Sequence, residues 1–434
     1  MVRRMVTDSL PGKALSERIR FRVQRAKRIA NLAGGAALRA APLDSGWFGP
    51  PRRFSPTAQQ WCHGADDGSR GKRRCAIETV HGPLARARPS PGTLLGRTPW
   101  PFQAFYGGLA TEDLPAHVYA ISNARVCGEG AIIAPGDYLL GDVSRELIKD
   151  QRKHSILSRW RLPPMTDVDA SVAVLAVAGS EVYWHWMFDC LPRLGLIMAR
   201  KEGLGGVEQF VINAVRRSYQ RETLEALGIE PAKCLQADRD RFHIKANMAI
   251  IPSITHQVPS VWACNFLRRE LFSRLAVPAQ ETPRRIYVSR VDAGSRRVVN
   301  EEELVEELGR HGFVRMVMSP LTVAEQAALF AGAEVIVAPH GSGLTNLVFA
   351  KPGTKVIEIF PPQYVNPCFW AVADATGVDY YCMLGGGTLP PPPPDGWDAE
   401  DWFYQHRRMG SLHGEDIHVD IGEIKVLLRM AGIA

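Results

Sequence analysis

The chain has 434 residues, 46% of them hydrophobic and 22% charged, which suits a soluble globular protein with room for two ordinary domains and an ample core. No apolar run approaches the roughly 20 residues needed to span a bilayer, and basic residues interrupt every apolar stretch near the start, so no signal peptide is expected. The net charge of +7 sits in one place: residues 1–40 hold ten Lys/Arg against two acids, a balance of +8 that leaves −1 for the rest, which argues against a nucleic-acid-binding protein.

In chain order, Leu15 to Leu38 reads as a helix with Ile19, Val23, Ala26 and Ala30 on one face and Arg/Lys elsewhere. That pattern fits either contact with an anionic membrane surface or a solvated leader. Residues 42–100 are rich in Pro, Gly, Arg and Ser and read as irregular. The eight cysteines are scattered with no C-x-x-C pair, so neither a zinc site nor a disulfide framework is expected, and reduced thiols in a cytoplasm fit. From Val118 to Leu140 short antiparallel strands are expected at Val118–Ile121, Ala131–Ile133 and Tyr138–Leu140. Then strands alternate with helices: strand Val172–Val177, helix Trp184–Arg200 bent at Pro192, strand Phe210–Ile212, helix Arg221–Leu227, strand Ala249–Ile251 and helix Val261–Leu275.

A second unit is expected after Pro283. Its strands begin near residues 286, 313, 334 and 355, the spacing that crossover helices require. Asn300 is placed to cap a helix with Glu301, Glu302 and Glu303 in its first turn, and Thr322 to Glu325 is a capping box. Pro390 to Pro394 reads as a spacer, and Ile417–Met430 as a terminal helix. The fold class expected is α/β, with two Rossmann-like doubly wound domains. The divisions are a basic irregular leader over 1–100, a first domain with a small antiparallel β region over 101–280, a second domain over 281–412, and a terminal helix over 413–434 packing back across both.

The second unit is organised around Glu334 to Pro362. Val335 to Ala338 and Val356 to Phe360 are apolar without alternation, as in strands buried on both faces. Between them His340, Gly341, Ser342 and Gly343 form a turn into a helix from Leu344 to Ala350. Such a turn aims backbone N–H groups and a helix start at the mouth of the sheet, where a phosphate binds well. Asn346 stands where a dinucleotide fingerprint needs Gly or Ala, and no P-loop Lys follows.

PHGSGLTN with a following VIEIFP is similar to the signature of glycosyltransferase family 61. YVSR with a downstream RRVVNEEEL and the stretch WHWMFDCLPRL match it too, in consistent order from about Val118 to Phe360. The resemblance implies a GT-B fold, with the two domains facing across a cleft. It also implies an inverting transfer of sugar from a nucleotide-sugar donor, UDP-linked by expectation, to a glycan hydroxyl in capsular or other surface polysaccharide synthesis. Such an enzyme must hold a leaving diphosphate and take a proton from the acceptor. For donor binding the candidates are Arg290, Arg296, Arg297, His340, Gly341, Ser342, Gly343, Leu344, Thr345, Asn346 and Glu358, the last toward ribose hydroxyls. For catalysis they are Asp189 as base and His185 one helical turn before it, where H-x-x-x-D resembles the family's acidic position. No metal and no cofactor beyond the nucleotide sugar are expected. The partners are the donor and a glycan or lipid-linked glycan acceptor, with no nucleic acid. The expected setting is cytoplasmic, with peripheral membrane contact through the basic N-terminus. An NAD(P)-dependent oxidoreductase on the same βαβ unit and a non-catalytic nucleotide-sugar-binding protein are the alternatives.

Overall fold

The computed structural model describes residue 30 and residues 49–64, 75–85, 92–93, 112–146, 150–253, 259–278, 281–362, 364–387, 392–394 and 415–433. Most of the Leu15–Leu38 helix and part of the Pro390–Pro394 run therefore lie outside the described residues. No helix among those described is long and apolar enough to cross a membrane.

The fold is mixed α/β, and the described residues form sheets of ten, six and two strands. The parallel part of the larger sheet is β1 (Thr166–Val174), β2 (Gln209–Asn213), β3 (Cys234–Ala237) and β4 (His243–Pro252), in spatial order β4-β1-β2-β3. On the outer side of β4 an antiparallel meander follows, built from Ala116–Ser122, Arg125–Cys127, Ala131–Ala134 and Tyr138–Leu140. The three strands expected there are present. The fourth, Arg125–Cys127, is too short to show a period of its own.

The smaller sheet contains β5 (Arg285–Ser289), β6 (Val314–Val317), β7 (Val335–Pro339), β8 (Lys355–Phe360) and β9 (Asp379–Leu384), all parallel, in order β6-β5-β7-β8-β9. The chain moves from β5 outward to β6, then returns past β5 to β7 and continues the other way. That reversal opens a crevice at the C-terminal ends of β5 and β7.

The stretch read as irregular, residues 42–100, is corrected. Arg53–Ser55 pairs with Tyr138–Leu140, Cys75–His81 pairs with Ala116–Ser122, and Gly92–Thr93 adds to the far edge of the smaller sheet beyond β9. A helix runs over Ala58–Gly64. These strands are short edge additions whose partners lie far along the chain, so local composition does not reveal them. Cys62 and Cys75 form a disulfide, which also corrects the expectation that none exists. It ties the helix to its neighbouring strand, and closing a loop of this size stabilises by roughly 3 kcal/mol. We expect denatured, unreduced protein to titrate six thiols and reduced protein eight, since the other six cysteines are free. Eight without reductant would mean that the bridge does not form.

One apolar cluster spans both sheets, from Ala173, Leu175 and Trp186 to Ile336, Ala338 and Phe360. Helices between the sheets are thus shared by them. The helix expected over Trp184–Arg200 is three pieces: α1 (Tyr183–His185), a π-helical turn over Trp186–Cys190, and α2 (Leu191–Met198) with Pro192 in its first turn. The wide turn lets the chain enter Pro192, which cannot donate to a preceding carbonyl.

In the second unit α3 (Glu301–Arg310) starts after Asn300, but the Asn300 side chain bonds Val419 instead of capping it. The capping box opening α4 (Val323–Gly332) forms as expected, with Thr322 and Glu325 reciprocally bonded. α5 (Cys368–Thr376) follows β8. The last helix, α6 (Ile421–Met430), buries Ile424, Leu427 and Leu428 with Tyr287, Leu304 and Ile357. It covers the outer face of the smaller sheet.

Candidate active site

The crevice at β5 and β7 is where the predicted residues gather. β5 ends at Ser289, so Arg290 leaves the sheet at its C-terminal mouth, and β7 ends at Pro339, so His340 and Gly341 do the same one strand over. A Cβ added at Gly341 would stand 1.9 Å from Nη1 of Arg290. The guanidinium therefore lies against the bare backbone of the turn. Gly341 has φ 173°, an extended conformation open to any residue, so the site needs glycine here for close approach alone. Arg290 is held by the Ser295 carbonyl through Nε and Nη2 at 3.3 and 3.0 Å. Its Nη1 has no hydrogen-bond partner among the described residues. Burial, with the neighbouring Arg296 charge, pushes Arg290 down to about 10, so it stays cationic at neutral pH.

Arg296 adopts φ 58° and lays its guanidinium over the Tyr364 ring, 5.1 Å from the centroid. Tyr364 in turn meets His340 edge-on at 5.1 Å. Arg297 pairs with Asp416 at 2.7 Å and half of its side chain is exposed.

His340 is buried among Phe360, Tyr364 and Phe369. Its Nδ1 bonds Oε1 of Glu358, whose Oε2 accepts from the Tyr380 hydroxyl. Glu358 is fully buried and both of its oxygens are engaged, one by His340 and one by Tyr380. Burial pushes its carboxyl well above the usual range, opposed by the Tyr380 hydrogen bond and the Arg296 charge.

Beyond Gly341, residues Ser342–Phe349 form a 3-10 helix, tighter than the α-helix expected over Leu344–Ala350. Gly343 packs closely on Val288 and Met318, with a Cβ meeting them at 3.2 and 3.4 Å. Leu344 and Thr345 are buried. Asn346 is spent on packing: its Oδ1 accepts from Tyr183 at 2.9 Å, and its Nδ2 donates to Gln326 and the Gly343 carbonyl. It bridges the two sheets' helices.

That bridge brings the second cluster alongside. His185 and Asp189 lie on one side of α1 and its π turn, with Nδ1 2.6 Å from Oδ2 and both side chains partly exposed. The neighbouring Trp184 touches Phe369 at 5.0 Å, the ring that also meets His340. Trp186 is core, its Nε1 donating to Thr223. Arg193, within WHWMFDCLPRL, emerges as a further organising residue. It is buried, and its Nη1 and Nη2 donate to the carbonyls of Ala176, two residues past β1, and Pro252, the last residue of β4. Burial pushes it down to about 10, with the Asp189 charge opposing.

The expectation of metal independence overlooks two Asp-x-Asp spacings, Asp167–Asp169 and Asp238–Asp240. Asp167 pairs with Lys245, Asp169 accepts from Asn247, and Asp238 and Asp240 pair with Arg216 and Arg159. Among the described residues no group of three or more His, Cys, Asp or Glu is arranged to hold a metal ion.

A family model described as Glycosyltransferase 61 matches residues 183–357, a stretch that begins at Tyr183 and ends in β8. The chain is also similar to a beta-1,2-xylosyltransferase of Arabidopsis thaliana, 29% identical over 20% of this chain and 19% of the relative. It is 33% identical to beta-1,2-xylosyltransferase XAX1 of Oryza sativa subsp. japonica, over 26% of this chain and 19% of that one. To the xylan glycosyltransferase MUCI21 of Arabidopsis thaliana it is 35% identical, over 16% and 14%. The matched stretches thus span less than a fifth of each relative's own length.

Proposed function

From the match of residues 183–357 to the Glycosyltransferase 61 model, we infer that the chain transfers a sugar from a nucleotide-sugar donor to a glycan hydroxyl. The observation that carries the reading is Arg290 lying against Gly341 beside His340, at the switch point of a parallel sheet. A diphosphate entering there meets a guanidinium with an uncommitted nitrogen, an imidazole and the backbone of the turn. Arg296 adds a second positive charge. The charge that grows on the departing diphosphate is met by these groups, without a metal.

The His185–Asp189 pair takes the acceptor proton. The attack comes from the face opposite the leaving group, so the anomeric configuration inverts. In this reading the two sheets are the halves of a GT-B fold, with the acceptor held by the first. The reaction belongs to surface-polysaccharide synthesis, on a glycan or lipid-linked glycan. The basic first forty residues hold the enzyme against an anionic membrane surface on its cytoplasmic side.

Screening nucleotide sugars for donor hydrolysis tests the assignment. The names of the xylosyl-transferring relatives make a UDP-pentose the first to try. One donor should be hydrolysed with release of the nucleotide. Hydrolysis of none, together with binding of NAD(P), would favour the oxidoreductase alternative.

A further inference from the structure

Glu358 is the polar exception on a face built for packing. Side chains alternate along β8, and Val356 and Phe360, on the same face, belong to the apolar cluster shared by the two sheets. A carboxyl with no exposure is costly in such a place unless its oxygens are matched. They are matched from two neighbouring elements. His340 comes from the turn after β7 and Tyr380 from β9, diagonal to Glu358 across the β8–β9 register, in which Val356 faces Tyr380 and Glu358 faces Cys382.

We propose that Glu358 and Tyr380 are positioning residues that fix the ring orientation and the proton of His340 for a nucleoside diphosphate, an inference that rests on the donor-site reading above. His340 Nδ1 is committed inward to Glu358. Whatever the imidazole does toward a ligand, it does through Nε2. The Nδ1···Oε1 contact holds one proton, because two facing acceptors buried there would be penalised, and a second proton of the pair sits on Nε2. While the pair holds both, Nε2 is a hydrogen-bond donor suited to phosphate. When one is lost, the remaining proton stays between Nδ1 and Oε1 and Nε2 becomes an acceptor.

The other groups that face Glu358 are Arg296 from the loop after β5, Cys368 at the start of α5, and Cys382 on β9. Burial pushes both thiols upward, so they stay neutral, and Arg296 is the cation that opposes proton retention. Burial works the other way and keeps the proton on the pair.

The test is the affinity of the full chain for uridine diphosphate, followed by calorimetry from neutral to alkaline pH, with melting temperature measured on each variant. The wild-type affinity should fall on the alkaline side as the pair loses one of its two protons. Glu358→Gln removes the negative charge that retains the imidazole proton, so that limb should move to lower pH. Tyr380→Phe removes the hydroxyl that eases ionisation of Glu358, so it should move to higher pH. Each shift should be about one unit. Shifts of opposite sign would not arise from a merely structural role, which would lower stability in both variants and leave the limb in place. An unmoved limb, or movement in the same direction in both, overturns the relay. If Glu358→Gln does not fold, Tyr380→Phe decides alone, since its ring stays in place. Failure of the wild type to bind uridine diphosphate at any pH would instead overturn the donor-site reading beneath it.

Discussion

Asp189→Asn should leave the fold and nucleotide affinity nearly unchanged and lower sugar transfer by roughly 10²–10⁴, the usual contribution of a positioned general base. The amide keeps the shape of the side chain, and Asp189 lies in the π-helical turn after α1 and is not among the groups that meet the diphosphate. What the amide cannot do is accept the acceptor's proton or hold His185 in the tautomer that would accept it. The 2.6 Å contact between Nδ1 and Oδ2 makes the two residues one unit. His185→Gln should therefore fall within the same range, and the double variant should lose little more than either single one. If Asp189 served only to order the turn before Pro192, the amide would cost about 1 kcal/mol of stability and little intrinsic rate. Melting temperature, nucleotide affinity and turnover on the three variants separate the cases. A folded Asp189→Asn enzyme with near-normal turnover would remove the pair from the chemistry.

Gly341→Ala should weaken nucleotide binding by roughly 10–100-fold, the loss expected when a charge-assisted hydrogen bond to phosphate is broken. The new methyl would fall 1.9 Å from Nη1 of Arg290, so the guanidinium must leave its place. No large side chain is needed. The φ of 173° allows alanine without backbone strain, which keeps the melting temperature close to that of the wild type. Arg290→Ala should reproduce the effect on affinity and also lower the rate, since a phosphate contact acts in both ground and transition states. Adding the two substitutions together should cost no more than one of them, because they remove the same contact. Isothermal titration with a nucleoside diphosphate checks this. Full affinity in folded Gly341→Ala would show that Arg290 does not hold the diphosphate.

Much of the second unit was legible because its signals are local. The apolar runs Val335–Ala338 and Val356–Phe360 had no alternation to confuse them, and the glycines between them marked the turn. The capping box at Thr322–Glu325 is complete within four residues. What could not be read depended on partners far along the chain. Nothing near Arg297 announces Asp416, and nothing near Asn346 announces Tyr183. Glu358 was correctly singled out as an acid in a buried strand. Its matching groups, His340 and Tyr380, are set by sheet register and cannot be read locally. The edge strands at Arg53–Ser55 and Cys75–His81 and the bridge between Cys62 and Cys75 belong to the same class of non-local fact. Arg193 was in view within WHWMFDCLPRL, but a lone arginine in a helix gives no sign that it donates to the carbonyls of Ala176 and Pro252.

The most direct measurement is the structure of the product formed from a nucleotide sugar and a glycan acceptor, with the new linkage read by NMR. The account predicts one added sugar, joined through a hydroxyl of the acceptor, with its anomeric configuration inverted relative to the donor. It also predicts that no product forms with Asp189→Asn on the same timescale. A product with retained configuration would contradict the assignment of His185–Asp189 as a base, and the absence of transfer with every donor that binds would contradict the enzyme reading itself.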